Sequence, residues 1–322
     1  SYNITNMILP IGISFFVFQA ISYVIDVYRG EENINNPVDM ALYISFFPQL
    51  IAGPIVRYHN IRKYLNNECR AIDLNEVAEG IWRFSVGLCK KVILANNLGT
   101  LADRVFNVDN IYNYSIVYSW LGAIAYTLQI YYDFSGYSDM AIGLGRIFGF
   151  KFQENFEYPY IASSVREFWR RWHISLSQFF RDYVYIPLGG NRCSKSRWII
   201  NMMLVWLLTG VWHGAAWTFI TWGVLYGIVI IAESWYGKIF SSDNIVIKIL
   251  SHCYTMLVVV LLWVIFRASS LGNAIQFIKN MIGFGSKVII DTGTIYQLAN
   301  YSVLIIMSVI FALPCVRFIN ER

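Results

Sequence analysis

The sequence predicts an all-α polytopic membrane protein, and three observations predict it. Of 322 residues, 57% are hydrophobic and only 14% charged, against about a quarter charged in ordinary soluble domains. Apolar stretches recur at the roughly 20-residue length that a hydrocarbon core about 30 Å thick demands of a helix. No internal repeat, low-complexity tract or sizeable soluble segment separates them, so residues 1–322 are expected to form a single membrane domain.

In chain order, spans or span-like segments are expected near Ile8 to Tyr28, Met40 to Val56, Ile116 to Tyr132, Trp198 to Trp212, Ala215 to Ala232, Ile249 to Phe266 and Ser302 to Pro314. Breaks are expected at LPIG (Leu9 to Gly12), FFPQLIAGP (Phe46 to Pro54) and GYSDMAIGLGRIFG (Gly136 to Gly149). Irregular backbone at membrane depth survives only where protein or a water-filled cavity satisfies its polar groups. The breaks therefore predict a helical body with an internal cavity. The chain opens at Ser1 and enters an apolar stretch without a basic leader or small-residue cleavage site, which predicts an internal segment of a longer protein. Cys69, Cys89, Cys193, Cys253 and Cys315 are scattered, with neither CxxC nor metal-ligand spacing, so no disulfide framework and no metal site are expected.

The net charge of +5 is concentrated. Arg166, Arg170, Arg171, Arg181, Arg192, Lys195 and Arg197 face only Glu167 and Asp182, a local excess equal to that of the whole chain. A second basic segment, 57–70, carries Arg57, Arg62, Lys63 and Arg70 against Glu68, whereas the loop from Leu101 to Asn113 is slightly acidic. The positive-inside rule places segments 57–70 and 166–197 on the cytoplasmic side of a multi-pass membrane protein. The expected partners of these charges are membrane lipids, not nucleic acid.

Segment 163–191, SSVREFWRRWHISLSQFFRDYVYIPLGGN, differs from the spans. Val165, Phe168, Trp169, Trp172, Leu176, Phe179, Phe180 and Tyr183 recur at helical spacing, with Arg166, Arg170, Arg171, Ser177, Gln178, Arg181 and Asp182 opposite. This reads as an interfacial amphipathic helix closed by Pro187 and Gly189-Gly190. His173 falls on the border of its two faces, where an ordinary boundary histidine and a functional one are both admissible.

His213, in TGVWHGAAWTF, is the only residue able to carry charge near neutral pH between Ile199 and Ala232. A helix starting near Trp198 would place it about 22 Å into the core. Gly210 and Gly214 flank it, allowing close backbone or ligand approach, and Trp212 and Trp217 are expected to wall it. Intramembrane ionisable groups are costly and face cavities or pathways. A neutral buried imidazole accepts a proton, so His213 is either a general base in an internal chamber or a hydrogen-bonded structural histidine between helices. Asp133 and Asp139, in YYDFSGYSD, lie about 120° apart on a continuous helix and form no local carboxylate pair. They cap a helix or satisfy broken backbone around Gly136, or one of them lines the cavity. Phosphate-binding, dinucleotide, HExxH and GxSxG signatures are absent.

Four motifs then point to a family. PQLIAGPIVRY (Pro48 to Tyr58), DFSGYSDMAIGLGRIFGF (Asp133 to Phe150), EFWRRWHISLSQFFRDYVYIPLGGNR (Glu167 to Arg192) and TGVWHGAAWTFITWG (Thr209 to Gly223) resemble, in order and spacing, the membrane-bound O-acyltransferases. The nearest likeness is to the bacterial branch that O-acetylates alginate; the D-alanyl transferases of teichoic acid are similar in pattern. The resemblance implies an arched ring of transmembrane, broken and re-entrant helices around a central tunnel, with further spans before Ser1 and after Arg322. It implies that His213, of the WHG motif, is catalytic and that His173 is the second functional position.

The expected activity is transfer of an acyl group, acetyl first, from a cytoplasmic thioester donor to hydroxyls of an extracytoplasmic polysaccharide, with His213 as base. The donor, acetyl-CoA or an acyl carrier, is a substrate, and no bound cofactor is expected. Asp133, Trp169, Arg170, Trp212 and Trp217 are candidate substrate-binding or tunnel-lining residues, and Arg166, Arg170 and Arg171 suit either a phosphate-bearing donor or lipid headgroups. The resemblance also implies an extracytoplasmic polysaccharide O-acetyltransferase partner. D-alanyl transfer to teichoic acid is the alternative within the class. A proton-coupled transporter or exporter using His213 and Asp133, and an inert envelope scaffold, are the alternatives outside it.

Overall fold

The computed structural model describes residues 12–49, 53–65, 73–106, 114–240, 242–285 and 287–314, and among them the regular structure is helical, with no strand. The helices are α1 (Ile13–Tyr28), α2 (Pro37–Ser45), α3 (Tyr58–Leu65), α4 (Leu74–Cys89), α5 (Asn96–Val105), α6 (Ile116–Ile147), α7 (Val165–Arg171), α8 (Ile174–Phe180), α9 (Lys195–His213), α10 (Trp217–Trp235), α11 (Gly237–Phe240), α12 (Ile245–Arg267), α13 (Leu271–Met281) and α14 (Thr292–Phe311). Three of them, α10, α12 and α14, are long and apolar enough to cross a membrane. The expectations on residues 9–11, on Cys69, Arg70 and Cys315, on the acidic tip beyond Phe106, and on spans before Ser1 or after Arg322 lie outside the described residues.

The chain divides into two compact units, residues 1–88 with 136–155, and residues 89–135 with 156–322. In the first, α1 buries Phe15, Gln19, Ser22 and Asp26 while Val17, Ile21 and Val24 point outward. This inverted pattern suits a helix whose outer face meets apolar surroundings. Two of its buried polar groups are paired: Ser22 Oγ lies 2.7 Å from Tyr43 Oη, and Asp26 accepts the backbone N–H of His59 and meets its Nδ1 at 3.0 Å. The span-like segment from Met40 to Val56 is interrupted from Phe46, where a break is expected. Asn36 caps α2 by accepting the N–H of Val38, Pro37 opens it, and the chain leaves it at Ser45 for a 3-10 turn over Phe47–Gln49. Of the basic segment beginning at Arg57, Tyr58–Leu65 form α3, and Arg62 of that helix pairs with Glu31 and Glu32.

The expected break from Gly136 to Gly149 is corrected. Helix α6 runs unbroken through Gly136 and Gly143, for 32 residues, about 48 Å at 1.5 Å per residue. Its glycines serve close packing instead. A Cβ on Gly80 of α4 would lie 2.6 Å from the carbonyl oxygen of Gly143, and one on Gly87 2.5 Å from that of Gly136. Between these contacts Arg83 donates to Asp139 at 2.7 and 3.0 Å and to Glu154 at 2.6 Å. Asp139 therefore neither caps a helix nor repairs one, and Gly149, at φ 79°, ends the helical stretch.

The second unit is built on rings. Trp169, Trp172, Trp206, Trp222, Tyr226 and Trp263 are all buried in one core. Helices α9 and α10 form a hairpin whose backbones touch: a Cβ on Gly210 would lie 2.6 Å from the oxygen of Phe219, and one on Gly223 2.4 Å from that of Trp206. Gly214, at φ 151°, supplies the turn that a side chain would resist.

Candidate active site

The segment expected to be one amphipathic helix is two, and the break falls on the histidine. All the residues assigned to its apolar face, from Val165 to Tyr183, are buried, so the periodicity was real. Helix α7 nevertheless stops at Arg171, Trp172 is extended, and His173 sits in the left-handed region at φ 44°, ψ 54° before α8 begins. A non-glycine residue there costs about 1–2 kcal/mol. The break lets consecutive residues both turn inward: Trp172 is buried, and His173 is 1% exposed. His173 is thus not a boundary histidine at a rim. A turn of π-helix, Arg181–Tyr185, follows α8, and Gly189 and Gly190, both at positive φ, complete the turn into α9.

What holds this segment was not anticipated from the sequence. Ser164 caps α7 by accepting the N–H of Glu167 at 3.0 Å. Glu233, buried near the end of α10, accepts the N–H groups of Val165 at 2.7 Å and Arg166 at 3.0 Å. These are donors that a helix start leaves unsatisfied, and a carboxylate beside them also meets the favourable end of the helix dipole. The signal was present as one acid closing a long apolar run, but its partner lies 67 residues away.

His213 is the last residue of α9, one residue beyond the expected end of that span at Trp212. Eighteen residues beyond Lys195, it lies about 27 Å along the helix axis. Its ring is enclosed by Trp212 at 4.6 Å, Phe266 at 5.0 Å, Trp222 at 5.2 Å and Phe219 at 6.3 Å between centroids. Trp217 is not part of this wall: it is 71% exposed, because the turn at Gly214 shifts the phase of α10 so that Trp222 faces the histidine. His173 packs edge-on against Phe134 at 4.6 Å and meets Trp212 at 6.0 Å. Its Nδ1 lies 3.5 Å from Ser175 Oγ. The Trp212 ring therefore neighbours both histidines. Burial, with His213 nearby, pushes the His173 imidazole well below its ordinary value, so it is neutral.

Asp133 is not joined to either histidine. It pairs with Lys91, which lies in a π-helical turn over Lys90–Ala95, and accepts from Gln129 Nε2 at 3.3 Å. Its neighbour Phe134 makes the contact with His173. Trp169 and Arg170 line a cavity of about 1060 Å³ formed by α7 to α10. Arg166, Arg181 and Lys195 supply further positive charge to it, Trp206 and Met202 supply apolar wall, and it reaches Thr209, one helical turn before His213. Arg171 lies apart from it, bound to Glu167 Oε1 at 2.9 Å. Among the described residues no cluster of His, Cys, Asp and Glu has metal-holding geometry.

Residues 34–273 match the profile of the MBOAT, membrane-bound O-acyltransferase, family. The chain belongs to that family. It is 47% identical over 284 residues to a probable alginate O-acetylase of Pseudomonas aeruginosa, covering 88% of this chain and 53% of that protein. It is 40% identical over 305 residues to a peptidoglycan O-acetyltransferase of Helicobacter pylori, covering 86% and 58%. A teichoic acid D-alanyltransferase of Bacillus subtilis is 32% identical over 246 residues, covering 72% and 61%. The chain thus spans little more than half the length of the curated relatives it matches. The matched region contains both histidines, the arginine-lined cavity and the α9–α10 hairpin.

Proposed function

We propose that this chain is the catalytic part of a membrane O-acyltransferase that moves an acyl group, acetyl first, from a thioester to an acceptor hydroxyl on the way to the hydroxyls of an envelope polysaccharide. The observation that carries this reading is the arrangement around Trp212. Two buried or half-buried histidines flank one indole, a helical turn beyond a cavity bordered by Arg166, Arg170 and Lys195. Cationic side chains at a cavity suit the phosphates of acetyl-CoA or of an acyl carrier's arm. An aromatic enclosure excludes water that would hydrolyse the thioester.

In the reaction the acceptor oxygen attacks the thioester carbonyl while the His213 imidazole takes the hydroxyl proton. The tetrahedral intermediate then collapses, the C–S bond breaks, and the departing sulfur receives the proton. A base of this kind is worth about 10²- to 10⁴-fold, and holding both substrates in register supplies much of the rest. His173 donates a hydrogen bond to the donor or to a relay group at the same place. The basic segments 57–70 and 166–197 face the cytoplasm, so the donor enters from that side, and an extracytoplasmic O-acetyltransferase receives the acyl group for the polymer. Acetyl is favoured over D-alanyl by the higher identity to the alginate and peptidoglycan enzymes than to the teichoic acid enzyme.

The test is acyl transfer by membranes containing the full-length protein, with radiolabelled acetyl-CoA or an acetylated carrier as donor. His213→Ala should abolish transfer while leaving insertion and abundance unchanged. Retained transfer in that variant would remove the base from His213.

A further inference from the structure

The segment between α12 and α14 presents an apolar surface that the chemistry described above does not use. Helix α13 is amphipathic: Ala274, Phe277, Asn280 and Met281 are buried, while Ile275 and Lys279 point outward. The outward side continues into the chain that follows. Ile282, Phe284, Ile289 and Ile290 are exposed, Phe284 at 85% and Ile289 at 67%.

This surface is held in place. The carbonyl oxygens of Val288 and Ile289 accept the N–H groups of Ile116 and Val117, each at 3.0 Å, and Trp120 Nε1 donates to the oxygen of Met281 at 2.9 Å. At the far end Asp291 caps α14, accepting from Thr294 N and Oγ1 at 2.8 Å, while Ser115 Oγ lies 2.9 Å from Thr294 Oγ1. The carboxylate is thereby occupied. The cations on this surface are Lys279 and Lys287, while Asp291 at its end stays a carboxylate.

We infer that α13 and residues 282–285 and 287–290 insert into the headgroup and upper acyl region of an anionic lipid leaflet, forming an interfacial anchor beside α14. Continuity with α14 carries the choice of occupant. That helix is long and apolar enough to span, only 11% of its apolar window is buried, and it starts at Thr292, directly after the exposed Ile289 and Ile290. Exposed isoleucine and phenylalanine side chains such as Ile275, Ile282 and Phe284 suit the headgroup and acyl boundary, and lysine ammonium groups beside them meet lipid phosphates. A soluble partner would also cover isoleucines, but it would not explain why Ile289 and Ile290 stand within three residues of the start of a helix apolar enough to span.

The experiment uses the full-length protein with its native cysteines replaced by serine, carrying Phe284→Cys labelled with an environment-sensitive fluorophore. Asp243→Cys, at a fully exposed acid, is the aqueous reference. In vesicles of phosphatidylethanolamine and phosphatidylglycerol, the label at position 284 should emit to the blue. It should be quenched by lipids bearing a nitroxide high on the acyl chain, and be several-fold less sensitive than the reference to aqueous iodide. Ile289→Cys should behave in the same way. Water-like emission with full iodide quenching at both positions would overturn the inference, as would protection that appears only when a soluble envelope protein is added. The readout is independent of acyl transfer.

Discussion

The carboxylate of Glu233, near the end of α10, holds the first backbone N–H groups of α7 at Val165 and Arg166, at 2.7 and 3.0 Å. Eight residues beyond Val165 the chain turns through the strained backbone of His173. One side chain thus ties a membrane-spanning helix to the short helix that presents the second histidine. Glu233→Gln keeps one acceptor but aims an NH₂ at a backbone donor, and Glu233→Ala leaves both donors buried. Each orphaned donor costs about 1–3 kcal/mol. Thermal unfolding in detergent should fall in the order wild type, Gln, Ala, with acyl transfer falling in the same order. An unchanged transition in Glu233→Ala would show that α7 is held by other contacts.

The α9–α10 hairpin predicts a contrast between glycines. A Cβ at Gly223 would meet the Trp206 carbonyl oxygen at 2.4 Å, whereas Gly237 has nothing within 4 Å of where its Cβ would lie. Gly223→Ala should therefore separate the helices beside His213, costing about 1–3 kcal/mol and a large share of the transfer rate. Gly237→Ala should leave both unchanged. Unfolding temperature and transfer rate measured side by side check this.

The buried His173 predicts an acid-sensitive fold. Burial lowers its folded-state value below the free imidazole value, which is about 6.5. Its contribution to stability is then fully present above about pH 6.5 and is lost as pH falls below that, where the unfolded chain takes up the proton first. His173→Asn removes the titration and tolerates the left-handed backbone. The wild-type unfolding temperature should drop between about pH 6.5 and 5 more steeply than that of the variant, and parallel curves would contradict the prediction.

The cavity predicts a charge effect on the donor. Arg166→Gln with Arg170→Gln removes two of the cations lining it and should raise the KM for the thioester about tenfold or more, at roughly 1.5–3 kcal/mol per charged hydrogen bond lost, with kcat changed little. The KM of the wild type should rise with salt more than that of the variant. A fall in kcat at constant KM would move the arginines' role away from donor binding.

Much of this protein was legible in one dimension because its determinants are local. The apolar face from Val165 to Tyr183 was found by periodicity, and the α9–α10 segment by its apolar length. His213 stood out because it interrupts an otherwise uncharged run. Wherever a glycine or a polar residue has two uses, the sequence left the choice open. Gly136 and Gly143 read as a break and instead let α4 approach an unbroken α6, a role visible only once the opposing carbonyls are placed. Trp217 read as the wall of His213, but the turn at Gly214 turns it outward and brings Trp222 in.

Composition and pattern by themselves determined a helical membrane protein with ionisable groups at His173 and His213, because burial and hydropathy act residue by residue. Only the tertiary structure decided that the amphipathic segment breaks at His173, that Glu233 holds its start, and that Trp212 neighbours both histidines. Those facts depend on backbone donors, ring faces and carbonyls brought together from distant parts of the chain, and no local pattern encodes which of them meet.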